Sequence, residues 1–151
     1  MFQVRENLFW CSFDKSDIKL VCVTRFQEDS KLLGKALELL QKVLDPLLTV
    51  DDFLGENKVT FVIKQQGVVI GCLLGNVCYD GEFFIDYLAV DSNYRGVGSG
   101  KRLVDAAKRK ASEMGLVKIK LLALSTSITF YEKQGFIKDF FGSLCFMEFS
   151  V

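Results

Sequence analysis

The sequence contains no histidine, which excludes Ser-His and Cys-His nucleophilic pairs, imidazole-ligated zinc and a histidine proton shuttle. Acid–base chemistry is left to carboxylates, tyrosine, cysteine and lysine. Neither sign of charge is in excess: 19 Lys plus Arg balance 19 Asp plus Glu. No global field therefore draws the chain to nucleic acid or to an anionic membrane, and charge can act only locally. Long apolar runs are also missing. The longest, residues 68–79, is interrupted by glycine and asparagine and is shorter than the roughly 18 residues of a membrane span. The N-terminal stretch has early charges and no continuous apolar region of the secretory type, so a soluble, cytoplasmic protein is expected.

Close cysteine pairs are absent too. Cys11, Cys22, Cys72, Cys78 and Cys145 are odd in number, show no CxxC spacing and sit mostly in apolar runs. They read as reduced core thiols, with neither a metal site nor a disulfide framework. What the chain has in abundance is apolar surface. Half of its 151 residues are hydrophobic, enough for a sizeable core in a single domain spanning residues 1–151.

Hydrophobic periodicity lays out the elements. Residues 7–13 and 18–26 read as strands joined by a Lys-Ser-Asp turn. From Ser30 the apolar positions Leu33, Ala36, Leu37, Leu40, Val43 and Leu44 fall on one helical face, and the only proline, Pro46, helps to end that helix. Residues 49–58 form a loop or a short helix capped by an aspartate. Runs at 59–64, 68–79 and 82–90, separated by Gln66-Gly67 and Asp80-Gly81, predict an antiparallel meander. A second helix follows over 98–114, with Leu103, Ala107, Ala111 and Met114 as its stripe and Gly115 as its stop. A buried-type strand at 117–124, a short helix at 127–134 and a hairpin of 136–141 with 144–150 complete a mixed α/β (α+β) domain.

The segment Tyr94-Arg95-Gly96-Val97-Gly98-Ser99-Gly100-Lys101 follows a strand and opens a helix. Glycines at alternate positions let the backbone approach a ligand, and the helix N-terminus offers oriented N–H groups and a positive dipole end to phosphate. Arg95 and Lys101 add charge. The dinucleotide pattern GxGxxG fails, because its sixth position is Lys101. The Walker pattern also fails: Arg95 stands where its first glycine belongs, and Arg102 follows Gly100-Lys101 where Ser or Thr would hold magnesium.

Arg-x-x-Gly-x-Gly over Arg95–Gly100, after Ile85-Asp86-Tyr87-Leu88-Ala89-Val90-Asp91, resembles the signature of the GNAT superfamily of acyl-CoA-dependent N-acetyltransferases. Residues 128–136, Ile-Thr-Phe-Tyr-Glu-Lys-Gln-Gly-Phe, resemble that family's second landmark, so the likeness covers about residues 82–136. It implies a mostly antiparallel sheet of about six to eight strands, helices on both faces, an added N-terminal strand and a β-bulge that splays the family's fourth strand from its fifth. It also implies acetyl-CoA as co-substrate, with no metal. Leu88, Ala89 and Val90 match the segment that pairs with the pantetheine arm. The amides of Leu88 and Val90 are then candidates to polarise the thioester carbonyl. The amides of Gly96, Val97, Gly98, Ser99 and Gly100 would hold pyrophosphate, assisted by Arg95 and Lys101. Arg102, Lys108, Arg109 and Lys110 either approach the adenosine phosphate or form a solvated face.

By the same resemblance Tyr131 is the acid that protonates the leaving sulfur and also touches the cofactor; the alternative is a ring that anchors its helix. The base is Asp86 or Glu82 on the strand 82–90, or a water chain. Strand alternation groups Glu82, Phe84, Asp86, Leu88 and Val90 on one face, with Glu82 farther toward the acceptor mouth. A frequent family asparagine is replaced within Leu124-Ser125-Thr126, whose hydroxyls either touch the cofactor or cap the next helix.

The expected acceptor is a small-molecule or peptide amine, delivered past the acidic segment that carries Asp45, Asp51, Asp52 and Glu56 with Phe53 and Tyr87. A cationic amine suits that surface, which otherwise serves solubility. Phe140, Phe141, Phe146 and Phe149 suggest a homodimer contact. The competing function is a non-catalytic acetyl-CoA-binding sensor or assembly module.

Overall fold

The computed structural model describes residues 8–10, 18–24 and 29–151. Among them eight strands form one sheet: β1 (Leu8–Trp10), β2 (Ile18–Val23), β3 (Lys58–Gln65), β4 (Val68–Val77), β5 (Glu82–Val90), β6 (Lys118–Ala123), β7 (Ile137–Phe141) and β8 (Leu144–Ser150). Their spatial order is β1-β2-β3-β4-β5-β6-β8-β7. Only the β5–β6 pair is parallel; the other neighbours are antiparallel. The expected meander is present as β3-β4-β5. Its first turn places Gln66 and Gly67 both in the left-handed region, at φ 51° and 80°, as a two-residue hairpin loop requires. The Lys-Ser-Asp turn lies outside the described residues.

One long helix packs on each face of the sheet around β4 and β5. In α1 (Ser30–Val43) the Asp29 carboxylate accepts the Leu32 N–H at 3.1 Å and starts the helix. Leu32, Leu33, Ala36, Leu39 and Leu40 are buried in a core shared with Val62, Cys72, Leu74 and Ala89. Leu44, expected in the stripe, is the exposed C-cap. On the opposite face, α2 (Ser99–Glu113) buries Leu103, Val104, Ala106, Ala107 and Ala111 against Phe61, Ile63, Leu73, Phe83, Ile85 and Ile119. Met114 lies past the last turn and is exposed. A third, short helix, α3 (Ile128–Lys133), contacts β7 and carries the buried Tyr131.

Three local expectations are corrected by packing. Residues 50–53 form a 3-10 turn whose cap is Thr49 rather than an aspartate. The Thr49 Oγ1 accepts the Asp51 N–H at 3.3 Å, and the Asp52 carboxylate accepts the Thr49 N–H at 2.9 Å. Strand β6 is only half buried: Ile119 and Leu121 face the core, while Lys118 and Lys120 form ion pairs with Glu148 and Glu82. Of the cysteines, Cys22, Cys72 and Cys145 are buried but Cys78 is partly exposed beyond the end of β4; Cys11 lies outside the described residues. Among the described residues no helix is long and apolar enough to cross a membrane.

Candidate active site

The site begins with one surplus residue. In the β4–β5 ladder Leu74 pairs with Tyr87 and Gly75 pairs with Ile85, so Asp86 is an extra residue in β5, a β-bulge. Up to the bulge, Phe83 and Ile85 point into the α2 core. Beyond it, Leu88 and Val90 pack on that core, while Tyr87 and Ala89 belong to the α1 side. The expectation that Glu82, Phe84, Asp86, Leu88 and Val90 share one face is therefore overturned, because a single inserted residue reverses every side chain that follows it. Gly75 makes room at the slip: a Cβ there would lie 2.0 Å from the Phe83 ring.

The bulge also opens the sheet. Parallel pairing between β5 and β6 covers only Glu82–Ile85 with Lys118–Leu121. From Asp86 onward β5 is bonded on its β4 side alone, and Leu122 and Ala123 of β6 pair only with β8. The strands part around a cleft of about 850 Å³, walled by residues 85–90 on one side and by Leu121, Leu122 and Leu124 on the other. The backbone of 86–90 facing this gap has no strand to satisfy it and needs a hydrogen-bonding partner.

One end of the cleft presents hydrogen-bond donors without partners. Gly96 and Gly98 have φ of 83° and 84°, a conformation that other residues rarely adopt. Gly98 is the N-cap of α2 and provides no side-chain cap. The N–H groups of the first turn are thus orphan donors at the positive end of the helix dipole. The Ser99 hydroxyl beside them is buried without a hydrogen-bond partner. Gly100 is small for a different reason: the Phe130 ring of α3 lies 3.2 Å from where its Cβ would be. Arg95 Nε donates to the Val90 carbonyl at 3.1 Å, which fixes the guanidinium at the lip of the cleft. Lys101 is tied to Asp105 at 2.6 Å. Arg95, Gly96, Gly98, Ser99, Gly100 and Lys101 all line the cleft; Val97 does not, and its side chain is exposed.

Tyr131 lines the cleft from α3. Its ring packs edge-on against Phe130 and Phe136, with centroids 5.0 and 5.5 Å away, and burial pushes its phenol well above the ordinary value. The hydroxyl therefore stays protonated through the neutral range and is available as a donor. Lys108, half expected on a solvated face, instead donates to the Gln134 carbonyl at the end of α3 and places its ammonium 4.0 Å from the centre of the Phe149 ring. Burial lowers its pKa. Phe149 is thus part of the packing rather than of the exposed set Phe140, Phe141 and Phe146.

The opposite end is acidic. Asp86 lines the cleft. Burial raises its pKa, opposed by the Lys58 ammonium, which bonds Oδ2 at 3.3 Å; Asp52 raises it further. Tyr87 beside it is raised by burial and by the negative charges of Asp52, Asp86 and Asp45. Glu82 is not among the lining residues and forms an ion pair with Lys120 at 3.0 Å. Phe53 is buried in the α1 core, out of reach of any acceptor. The residues that sequence missed are Lys58, which reaches Asp86 only through the fold, and Val43 and Leu44 at the end of α1, which border the cleft beside the expected Asp45.

A bulged strand splayed from its parallel neighbour, with an uncapped helix N-terminus at the mouth, is the architecture of the acyl-CoA-dependent acyltransferases implied by the sequence. Residues 23–136 match the model of the acetyltransferase (GNAT) family, and the chain belongs to that family. The fold is similar to that of the ribosomal-protein-S18-alanine N-acetyltransferase from Escherichia coli, with a TM-score of 0.72 and 17% identity over 87% of this chain and 94% of that one. It is similar to an aminoglycoside 6'-N-acetyltransferase complexed with coenzyme A, with a TM-score of 0.74 and 14% identity over 85% and 96% of the two chains. The PaiA N-acetyltransferase from Thermoplasma acidophilum in complex with coenzyme A gives a TM-score of 0.68 and 15% identity over 87% and 99%. No curated protein matches the chain in sequence.

Proposed function

We propose that this protein transfers an acetyl group from acetyl-CoA to a primary amine by direct attack within a ternary complex. The observation that carries the reading is the continuity of one cleft. It runs from the uncapped N-terminus of α2, along the unpaired edge of β5, to a buried phenol on α3 and a bulge carboxylate. Two of the similar structures hold coenzyme A, and the cleft has the features that molecule needs. Orphan amides of the α2 first turn and the buried, unbonded Ser99 hydroxyl suit its pyrophosphate. The free edge of residues 86–90 suits an amide-bearing arm.

When bound, acetyl-CoA supplies an activated acetyl thioester. Asp86 accepts the proton that an alkylammonium must lose before it can attack, directly or through water. Its raised pKa strengthens it as a base. The amides of Leu88 and Val90 donate toward the carbonyl oxygen, and the Tyr131 hydroxyl donates to the departing sulfur. Glu82, held by Lys120 outside the cleft, is left out of the reaction. Asp45, Asp52 and Asp86 around Tyr87 favour an acceptor that carries positive charge. The E. coli neighbour is named for an alanine of a ribosomal protein and another for an aminoglycoside, so both peptide and amino-sugar amines belong in the trial set.

The test is a thiol-release assay with acetyl-CoA and a panel of peptides, polyamines, amino sugars and aminoglycosides, run beside a thermal-shift measurement. Stabilisation by acetyl-CoA together with amine-dependent thiol release is expected. Stabilisation with no release from any amine would replace the enzyme by a sensor or assembly module, and no stabilisation would remove the cofactor.

A further inference from the structure

We propose that Lys58 is a positioning residue for acetyl transfer, its ammonium holding the bulge carboxylate of Asp86 in place and setting the pH at which that carboxylate is ready to take a proton. The inference rests on the assignment of Asp86 as the base.

The pair is assembled from elements far apart in sequence. Lys58 opens β3 and is anchored there by its ladder partner Asn76 and by its N–H bond to the Gly55 carbonyl. It lies on the α1 side of the sheet, in the same alternation as Thr60 and Val62. From there its side chain crosses β4 and reaches Asp86 Oδ2 at 3.3 Å, with both side chains about three-quarters buried, at 26% and 24% exposure. The lysine is more enclosed than in Lys118–Glu148 at 31%, Lys120–Glu82 at 38%, or Lys42–Asp91 and Lys101–Asp105 at 62% each. An enclosed pair feels its partner more strongly, because water screens it less.

A bulge residue has no ladder partner to fix it, so Asp86 depends on side-chain contacts for its orientation. Among the described residues, few titratable groups act on it. Lys58 comes from β3, Asp52 from the 3-10 turn, Tyr87 is its neighbour in β5, and Cys78 in the loop after β4 feels its charge. Lys58 is the cation that opposes burial and Asp52. Without it, burial and the remaining carboxylate act unopposed, and the proton affinity of Asp86 rises further. A base of that kind stays protonated, and idle, up to a higher pH.

The experiment measures pH profiles of kcat/KM for the wild type, Lys58→Met, Lys58→Arg and Asp86→Asn, and titrates the Asp86 carboxyl by carbon-13 NMR in the protein without acetyl-CoA. Lys58→Met should move both the acid limb and the NMR titration upward by about half to one pH unit. Lys58→Arg should restore them, and Asp86→Asn should abolish the limb. Should Lys58→Met not fold, Lys58→Gln removes the charge with less loss of polarity and is read in the same way. A limb lost in Asp86→Asn but unmoved in Lys58→Met would overturn the role of Lys58 alone. A limb that survives in Asp86→Asn would overturn Asp86 as the base and the role of Lys58 with it. A uniform fall in rate at every pH, with the titration unmoved, would reduce the pair to a structural ion pair.

Discussion

The two ends of the cleft are built in opposite ways. The end we assign to the anion comes from one short stretch, Arg95–Lys101, through backbone conformation and a bare helix N-terminus. The end we assign to the acceptor draws on side chains from β3, the 3-10 turn, the end of α1 and the bulge of β5, whose charges act on Asp86 and Tyr87. One end is local and presents main-chain amides; the other is long-range and presents charge. Tyr131 stands between them on α3, and the proposed chemistry needs all three.

The sharpest way to break this division of labour is at Tyr131, which should serve the reaction without serving the anion end. In Tyr131→Phe the ring contacts with Phe130 and Phe136 are retained and only the donor is lost. General acid contributions are typically about 10² to 10⁴ in rate, so turnover measured by thiol release should fall at least about 100-fold. Acetyl-CoA affinity by calorimetry should change less than about threefold. A comparable loss in both would make Tyr131 a binding residue.

Gly98→Glu attacks the anion end instead. The left-handed φ of 84° strains any side chain, and a carboxylate at the N-cap opposes a phosphate there. Acetyl-CoA affinity should fall about 100-fold, on the scale of like-charge juxtaposition in a binding site. Titration of the protein with acetyl-CoA checks it, and unchanged affinity would remove the pyrophosphate from this loop.

The same division explains what the sequence alone disclosed. Glycine spacing, the strand before it and the helix after it are neighbours in the chain, so Arg95–Gly100 was legible as a glycine turn opening a helix, and it does line the cleft beside the uncapped start of α2, as does Tyr131 from the second motif. The order of strands and helices was legible for the same reason, since alternation and helical period are local signals. Strict alternation failed at Asp86, because nothing in Glu82–Val90 itself marks an inserted residue. Part of the signal sits on the opposite strand, where Gly75 leaves space for the Phe83 ring. Lys58 was invisible because its meeting with Asp86 depends on the register of three strands. Phe53 was misplaced because its turn, capped by Thr49, rotates the ring inward.

If the bulge is what couples the two ends, tightening the slip point should disturb the frame without touching either ligand. A Cβ at Gly75 meets the Phe83 ring at 2.0 Å, and overpacking of this kind costs about 1–3 kcal/mol. Gly75→Ala should lower Tm by about 3–10 °C in a melting experiment. The loss should be smaller in the double variant with Phe83→Leu, which removes the ring edge. Equal losses in both variants would show that the clash is not the cause.

The smallest expected effect tests whether the acidic mouth acts through charge at all. Asp52 accepts the Thr49 N–H that closes its turn, and Asn retains a carbonyl oxygen for that bond, so Asp52→Asn removes charge with little change to the loop. For a dicationic amine kcat/KM should fall about two- to fivefold at low ionic strength, as for a partly solvated charge pair. The loss should fade in about 0.5 M salt as the Debye length shrinks, and an amine with a neutral tail should be unaffected. Asp52 also raises the pKa of Asp86, so removing it should move the acid limb slightly downward, opposite in sign to Lys58→Met. If salt and acceptor charge make no difference in Asp52→Asn, the carboxylates at this end serve solubility, and the acceptor is selected by shape alone.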